Sequence, residues 1–348
     1  MLIVNVKKIT FIILTPLIIL TFLYFYINHN ITVSETQFLM NTTIEIKLYG
    51  KNIDKQKLEK IINNTFDVIK EVEDNSTSYN EYTGNAAALN KNRGSYYQVN
   101  QDLIDQLSIS IPFYDLTKGE FNISLFRTVN LWRASAASNT LPTREEALNS
   151  LGTSTPNDIF IDVFYSRIIL PSDMEIDLGA VSKGYSLDEA VKFLRQSGIK
   201  KALINAGGNI LALGNPDDRD YYTIAIQDPH NISRMIGTVK LKDNQFIATS
   251  GSYNRYYEFN GKKYSHILSG TIGYPTDLYK SVTVLTNKGI ISDILSTALF
   301  LLSVEDGKKL ISNLNYPVEV LYITNDDKII KSEGFEIEIS KENQYQSE

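Results

Sequence analysis

The sequence predicts an α+β fold, mostly antiparallel sheet with packed helices, preceded by one N-terminal transmembrane helix. Two observations carry the fold class. From Ile159 onward, β-rich runs follow one another with few helices between them, which favours adjacent antiparallel strands over a doubly wound order. Asn260-Gly261, between YNRYYEF and KKYSHIL, matches the type I′ turn that closes a hairpin. A third observation adds the span. Residues 9–27 (ITFIILTPLIILTFLYFYI) are uncharged and mostly apolar, close to the roughly 20 residues needed to cross a bilayer.

Lys7 and Lys8 precede that run and keep residues 1–8 in the cytoplasm, which exports everything after it. The run ends in Leu-Tyr-Phe-Tyr-Ile instead of the small residues of a cleavage site, so it reads as an uncleaved anchor. It has no polar stripe, which excludes an ordinary core helix. The expectation is a single-pass protein of the cell membrane with its body outside.

Residues 28–38 read as a polar spacer, 39–340 as one exported unit and 341–348 as a tail. MNTTIEIKLYG (40–50) alternates Ile44, Ile46 and Leu48 with Glu45 and Lys47, a half-buried strand. From Ile53 to Asp74, Leu58, Ile62, Phe66, Ile69 and Val72 recur at helical spacing. SYNEYTGNAAALN reads as a loop entering a short helix, and Asn100 as the N-cap of a helix from Gln101 towards Tyr114. Residues 133–157, rich in Ser, Ala, Asn and Thr, read as a mobile excursion. IFIDVFYSRIILP reads as a hairpin, MEIDLG as a strand, and SLDEAVKFLRQSG as a helix stopping at Gly198. The strands ALINAGG, NILALG, YYTIAIQDP, GTVKLK, FIATSG and SVTVLTN follow, then a helix from about Ile291 and the strands PVEVLYIT and KIIKSEGFEIE.

Composition narrows the function. The net charge of −6 without basic clusters argues against nucleic acid. With no cysteine there is no disulfide and no lipidated N-terminus, and three histidines leave little material for zinc. A metal here would be a hard cation held by oxygen.

Four segments carry candidate chemistry. In DLGAVSKGYSLD (177–188) a carboxylate, glycines and a lysine meet the start of a helix, where unpaired N–H groups and the helix dipole favour phosphate. Lys183 can pair with that phosphate, Gly179 and Gly184 permit close approach, and Asp177 can accept a hydrogen bond from a ligand such as a ribose. An ordinary turn with a solvated Lys183 is the alternative, and the segment is not a Walker A. In SDILSTAL (292–299), Asp293, Ser296 and Thr297 fall at i, i+3 and i+4 and share a helix face, a set of hard oxygens suited to Mg²⁺. The alternative is that Ser292 caps the helix and Asp293 complements its dipole. NAGGN (205–209) suits close ligand approach or a tight turn. His266, in the segment KKYSHIL, is either a base or a histidine satisfied on a strand.

In this order and spacing the motifs resemble one family, the ApbE-type FAD:protein FMN transferases, over roughly residues 36–325. DLGAVSKGYSLD is similar to the family's DLGGIAKGYAVD, NAGGNI to NxGGD(I), and TSGSYNRYY to TSGxYxRxF. LTKGEFNISLFRTVNLW resembles TxGxFDPTVxxLxxLW, with Asn122 for the aspartate and Ile123 for the proline; Trp132 reads as core. KKYSHIL opens like KxYSHIIDPxTGYP, but Ser269-Gly270-Thr271-Ile272 replaces the Asp-Pro-x-Thr core before Gly273-Tyr274-Pro275 resumes.

The resemblance implies FAD as donor, Mg²⁺ (Mn²⁺ as the alternative) as cofactor, and a Ser or Thr of an exported flavoprotein as acceptor. It places metal ligands at Asp293, Thr297 and the Ala180 carbonyl, with Ser296 where some members carry a second aspartate. It places FAD contacts at Met40, Tyr79, the Glu120-Phe121-Asn122 backbone, Asp177, Lys183 and Leu268, with Tyr79 suited to stacking on a ring. His266 and Lys183 are the catalytic candidates. Two other functions fit the same residues: hydrolysis of FAD to FMN and AMP, and a non-catalytic flavin-binding module.

Overall fold

The computed structural model describes residues 30–79, 85–216, 219–253, 255–340 and 345–347. The expected anchor at 9–27 lies outside them. Among the described residues no helix is long and apolar enough to cross a membrane.

Nine of the described strands form one sheet, in the order Asn30–Leu39, Thr42–Lys51, Ala202–Ala206, Asn209–Leu213, Gln245–Gly251, Tyr279–Thr286, Val318–Thr324, Lys328–Lys331 and Gln346–Ser347. Neighbours are antiparallel except the last pair. The period of two decides what each face meets. Ile44, Ile46, Leu48, Ile204 and Leu211 point at the helices Lys55–Ser76 and Ser182–Gln196, which contribute Leu58, Ile62, Phe66, Leu187, Val191 and Leu194. Val282, Val284 and Val320 meet Ile290, Ile294, Leu295 and Ala298 of the helix Gly289–Leu301. On the opposite face Ala212, Ile247, Leu321 and Ile323 pack on Ile224, Ile226 and Val239 of a three-stranded sheet made of Tyr222–Asp228, Asn231–Leu241 and Ile337–Ile339. The result is three layers: helices, the large sheet, and the small sheet.

Most of the expected elements form. Asn100 caps the helix Gln101–Ser110, its side chain accepting from Leu103 N–H, and Asn260 and Gly261 both take the positive φ of a type I′ turn. Four expectations are corrected. Residues 30–38, read as spacer, belong to an edge strand, because alternating pairing with Thr42–Lys51 satisfies their backbone. Residues 346–347 of the expected tail pair with Lys328 and Ile329. Residues 133–157 are ordered: Phe126–Ala137 and Arg144–Leu151 are helices, the second closed by a Thr143/Glu146 capping box. MEIDLG is not a ladder strand. One edge makes a single parallel bridge, Leu125 with Glu175, with Asp177 N–H donating to the Ile123 carbonyl. On the other edge the Asn90 side chain donates to the Ile176 carbonyl at 2.9 Å and accepts from Ile176 N–H at 2.8 Å. The amide does there what a neighbouring strand would do.

Candidate active site

The site forms where the helices Ser182–Gln196 and Gly289–Leu301 cross. A Cβ on Gly184 would lie 2.1 Å from the Gly289 carbonyl oxygen, so only glycine allows this approach. Asp188 strengthens the junction. Its carboxylate accepts from Gly289 N–H and Ile290 N–H at 2.8 Å each, capping a helix whose own N-cap residue, Lys288, offers no side-chain acceptor. Burial raises the Asp188 pKa, and the two N–H donors oppose that.

The crossing fixes Asp293, which is 3 % exposed. Its Oδ2 accepts from Gly184 N–H at 2.9 Å and its Oδ1 from Asn209 Nδ2 at 2.8 Å. Lys183 Nζ stands 3.4 Å from Oδ1 and donates to the Gly179 carbonyl at 3.2 Å. Asp293 therefore joins three of the motif segments and is not merely a dipole partner of its own helix. Because Gly184 N–H turns to Asp293, it is not spent on the Ala180 carbonyl; the first helical bond runs from Tyr185 N–H to the Val181 carbonyl. Ser292 donates to the Gly289 carbonyl from inside the helix and is no cap.

Thr297 and Ser296 share the next turn. Ser250 Oγ lies 3.2 Å from Thr297 Oγ1 and 2.9 Å from Ser296 Oγ, and Ser296 also donates to the Asp293 carbonyl. The Ser296 hydroxyl is thus engaged within the protein. Among the described residues no group of three His, Asp or Glu side chains could hold a metal. The oxygens at this crossing, a carboxylate, a hydroxyl and a carbonyl relieved of its helical N–H, nevertheless suit a Mg²⁺ ion that keeps several waters.

His266 is half-buried, and its Nδ1 meets the Arg255 carbonyl at 2.9 Å. A carbonyl only accepts, so Nδ1 carries the proton and Nε2 presents a lone pair. Burial pushes the imidazole pKa down to about 4, and the positive charges of Arg255 and Lys183 push the same way. The ring is a neutral base near Lys183. Arg255 also donates through Nη2 to the Asn41 carbonyl at 2.8 Å. That ties His266 to the Met40-Asn41 turn, where both residues hold positive φ and Met40 N–H is taken by Glu73.

At the other end of DLGAVSKG, Asp177 Oδ1 accepts from Gly179 N–H at 2.8 Å and Oδ2 from Tyr79 OH at 2.9 Å. Burial and Asp177 hold the Tyr79 hydroxyl well above the usual phenol range, so it stays a donor. The Arg133 guanidinium lies 4.1 Å over the Tyr79 ring, which is 49 % exposed. One flat face is therefore covered and the ring still reaches solvent.

Phe121 and Leu268 are buried in different apolar clusters, so any ligand contact from either would be through backbone. Phe121 N–H is already held by Thr117 Oγ1. The two segments that depart from the family pattern pack directly on each other. Gly270 N–H donates to the Glu120 carbonyl, Thr271 Oγ1 donates to Glu120 Oε1, and a Cβ on Gly270 would lie 2.5 Å from Asn122 Cβ. Each departure keeps an acceptor: Asn122 Oδ1 takes Ser124 N–H, and Ser269 Oγ takes Thr271 N–H and Ile272 N–H. Trp132, fully buried, pins the loop by donating to the Gly273 carbonyl at 2.9 Å.

A family model for the ApbE family matches residues 40–322. The chain belongs to the ApbE family. An FAD:protein FMN transferase of Klebsiella pneumoniae (strain 342) is 30 % identical over 298 residues, covering 84 % of this chain and 90 % of that protein. One of Treponema pallidum (strain Nichols) is 26 % identical over 319 residues, covering 86 % and 87 %. Among solved structures, an ApbE protein of Thermotoga maritima matches with TM-score 0.76 at 24 % identity, over 89 % of this chain and 97 % of that one. The flavin transferase ApbE of Vibrio cholerae matches with TM-score 0.75 at 24 % identity, over 87 % and 97 %. These two show that the ApbE fold is shared.

Sequence reasoning misses Asp188, Ser250, Arg133, Asn90 and the Asn209–Asp293 bond as parts of this ApbE site. Asp188, Ser250 and Asn209 have a usable signal, since DLGAVSKGYSLD, TSGSYNRYY and NAGGN mark their segments. The others act through partners distant in sequence.

Proposed function

We propose that the chain is an FAD:protein FMN transferase, moving FMN from FAD to a Ser or Thr hydroxyl of an exported acceptor protein with release of AMP. The observation that carries this is the buried Asp293 carboxylate paired with the Lys183 ammonium at the start of Ser182–Gln196, in a chain 30 % identical to an FAD:protein FMN transferase over 90 % of that protein. With His266 as a neutral base, such a carboxylate and cation are what phosphoryl transfer to a hydroxyl requires.

His266 Nε2 takes the acceptor's hydroxyl proton as its oxygen forms a bond to the phosphorus of the FMN half. The P–O bond to AMP breaks, and AMP leaves with the electron pair. Lys183, beside the N-terminus of Ser182–Gln196, neutralises charge on the pyrophosphate. Asp293, Thr297 and the Ala180 carbonyl are the groups to hold Mg²⁺, which when bound draws charge from the pyrophosphate oxygens. Asp177 orients Tyr79, whose ring offers a face for stacking. Residues 9–27 with Lys7 and Lys8 support a membrane anchor that holds this site outside the cell.

The test is the mass spectrum of a candidate acceptor after incubation with protein, FAD and Mg²⁺. A gain of one FMN with stoichiometric AMP is expected. AMP released at the same rate without acceptor would replace transfer by FAD hydrolysis, and FAD bound without any AMP would leave a flavin-binding module.

A further inference from the structure

We propose that Lys183 is an exchangeable counter-ion: a divalent cation taken up by Asp293 displaces the Lys183 ammonium, which then turns to the pyrophosphate of FAD. This rests on the function proposed above. Three donors converge on the Asp293 carboxylate, from Gly184, Asn209 and Lys183. The first two are neutral; they fix its orientation and leave its charge. Among the described residues Lys183 is the side-chain cation within ion-pair distance of it.

One carboxylate cannot balance both an ammonium and a divalent ion. The side chains of Asp293 and Lys183 are only 5 % and 20 % exposed, so the excess positive charge would be poorly screened. Gly184 and Asn209 are fixed by backbone and burial, whereas Lys183 has a flexible four-carbon stem and a single further bond to a neutral carbonyl. Lys183 is therefore the group that moves. It lies in the first turn of Ser182–Gln196, so the phosphate-attracting helix end is its nearest alternative partner. Metal uptake and pyrophosphate binding are coupled through one side chain. The coupling is reciprocal: pyrophosphate that draws Lys183 away raises the affinity of Asp293 for the cation, and the cation raises that for the donor.

The experiment is calorimetric titration of Mg²⁺, and separately of ADP with and without Mg²⁺, into protein stripped of divalent cations. ADP carries the adenosine pyrophosphate of FAD and has no FMN to transfer. Lys183→Met should bind Mg²⁺ about tenfold tighter than wild type, and should lose about tenfold of the Mg²⁺-dependent gain in ADP affinity. Mg²⁺ complexed by ADP in solution is common to both proteins and cancels. Lys183→Arg keeps the charge and should keep wild-type Mg²⁺ affinity, which separates charge from packing. Unchanged Mg²⁺ affinity in Lys183→Met, or an equal loss of ADP affinity with and without Mg²⁺, overturns the exchange. FMN transfer is read independently: transfer without the exchange pattern sinks this inference alone, and the pattern without transfer or AMP sinks the proposed function alone.

Discussion

Gly184 and Gly289 meet backbone to backbone, and the contact is reciprocal. A Cβ on the first would lie 2.1 Å from the carbonyl oxygen of the second, and one on the second 2.3 Å from that of the first. Two helices distant in sequence are thereby brought close enough for Gly184 N–H to reach Asp293. Gly184→Ala must push them apart. Overpacking of this kind costs about 1–3 kcal/mol, so chemical denaturation should show that loss together with weakened Mg²⁺ binding. Unchanged stability would mean that the crossing relaxes freely.

Asp293→Asn keeps the side chain's size and one acceptor but removes the charge. Transfer should fall by roughly a hundredfold or more, the cost of losing a comparable electrostatic contact. Circular dichroism should show the fold retained. Transfer that persists in excess chelator would exclude a metal.

The pH profile follows from His266. Its folded pKa, about 4, lies below its ordinary 6.5, so folding favours the neutral ring. That contribution to stability is fully present above 6.5 and is lost as the pH falls from 6.5 towards about 4. Transfer should hold steady at neutral pH and fail as the pH drops through about 4. His266→Ala should slow transfer while FAD still binds; an unaltered rate would remove His266 as the base.

Tyr79→Phe deletes the donor to Asp177 and leaves the ring. A hydrogen bond is worth about 1 kcal/mol net, so FAD affinity should weaken by several-fold, with the chemical step little changed. A loss confined to the chemical step would give Tyr79 a different role.

Topology has its own test. Protease added to intact cells should digest the body and spare residues 1–8, and complete protection would refute the anchor.

Alternation makes the large sheet legible: Ile44, Ile46 and Leu48 announce a buried face in a few residues. Helical spacing puts Asp293, Ser296 and Thr297 on one face, but it is the family resemblance that raises them above an ordinary helix start. MEIDLG misleads because its composition is that of a strand, whereas it makes only one parallel bridge, to Leu125, and the side chain of Asn90, 86 residues away, takes its other edge. Residues 133–157 mislead for the converse reason. Their small polar residues resemble a loop, but a capping box closes their second helix, and Ala136, Ala147 and Leu151 pack in one cluster with Trp132. Asp188 lies in a quoted motif, but its capping role is invisible because a cap is normally sought just ahead of the helix it serves.

That remote cap also orders events in time. Gly289 draws its acceptor from a residue 101 positions earlier, so the Gly289–Leu301 helix has no local start signal. A nucleus that closes so long a loop forms slowly. The helix carrying Asp293 therefore completes its first turn only when docked on Ser182–Gln196. The same docking that buries Ile290, Ile294 and Leu295 brings Asp293 to Gly184 N–H, so core and chemistry are completed in one event.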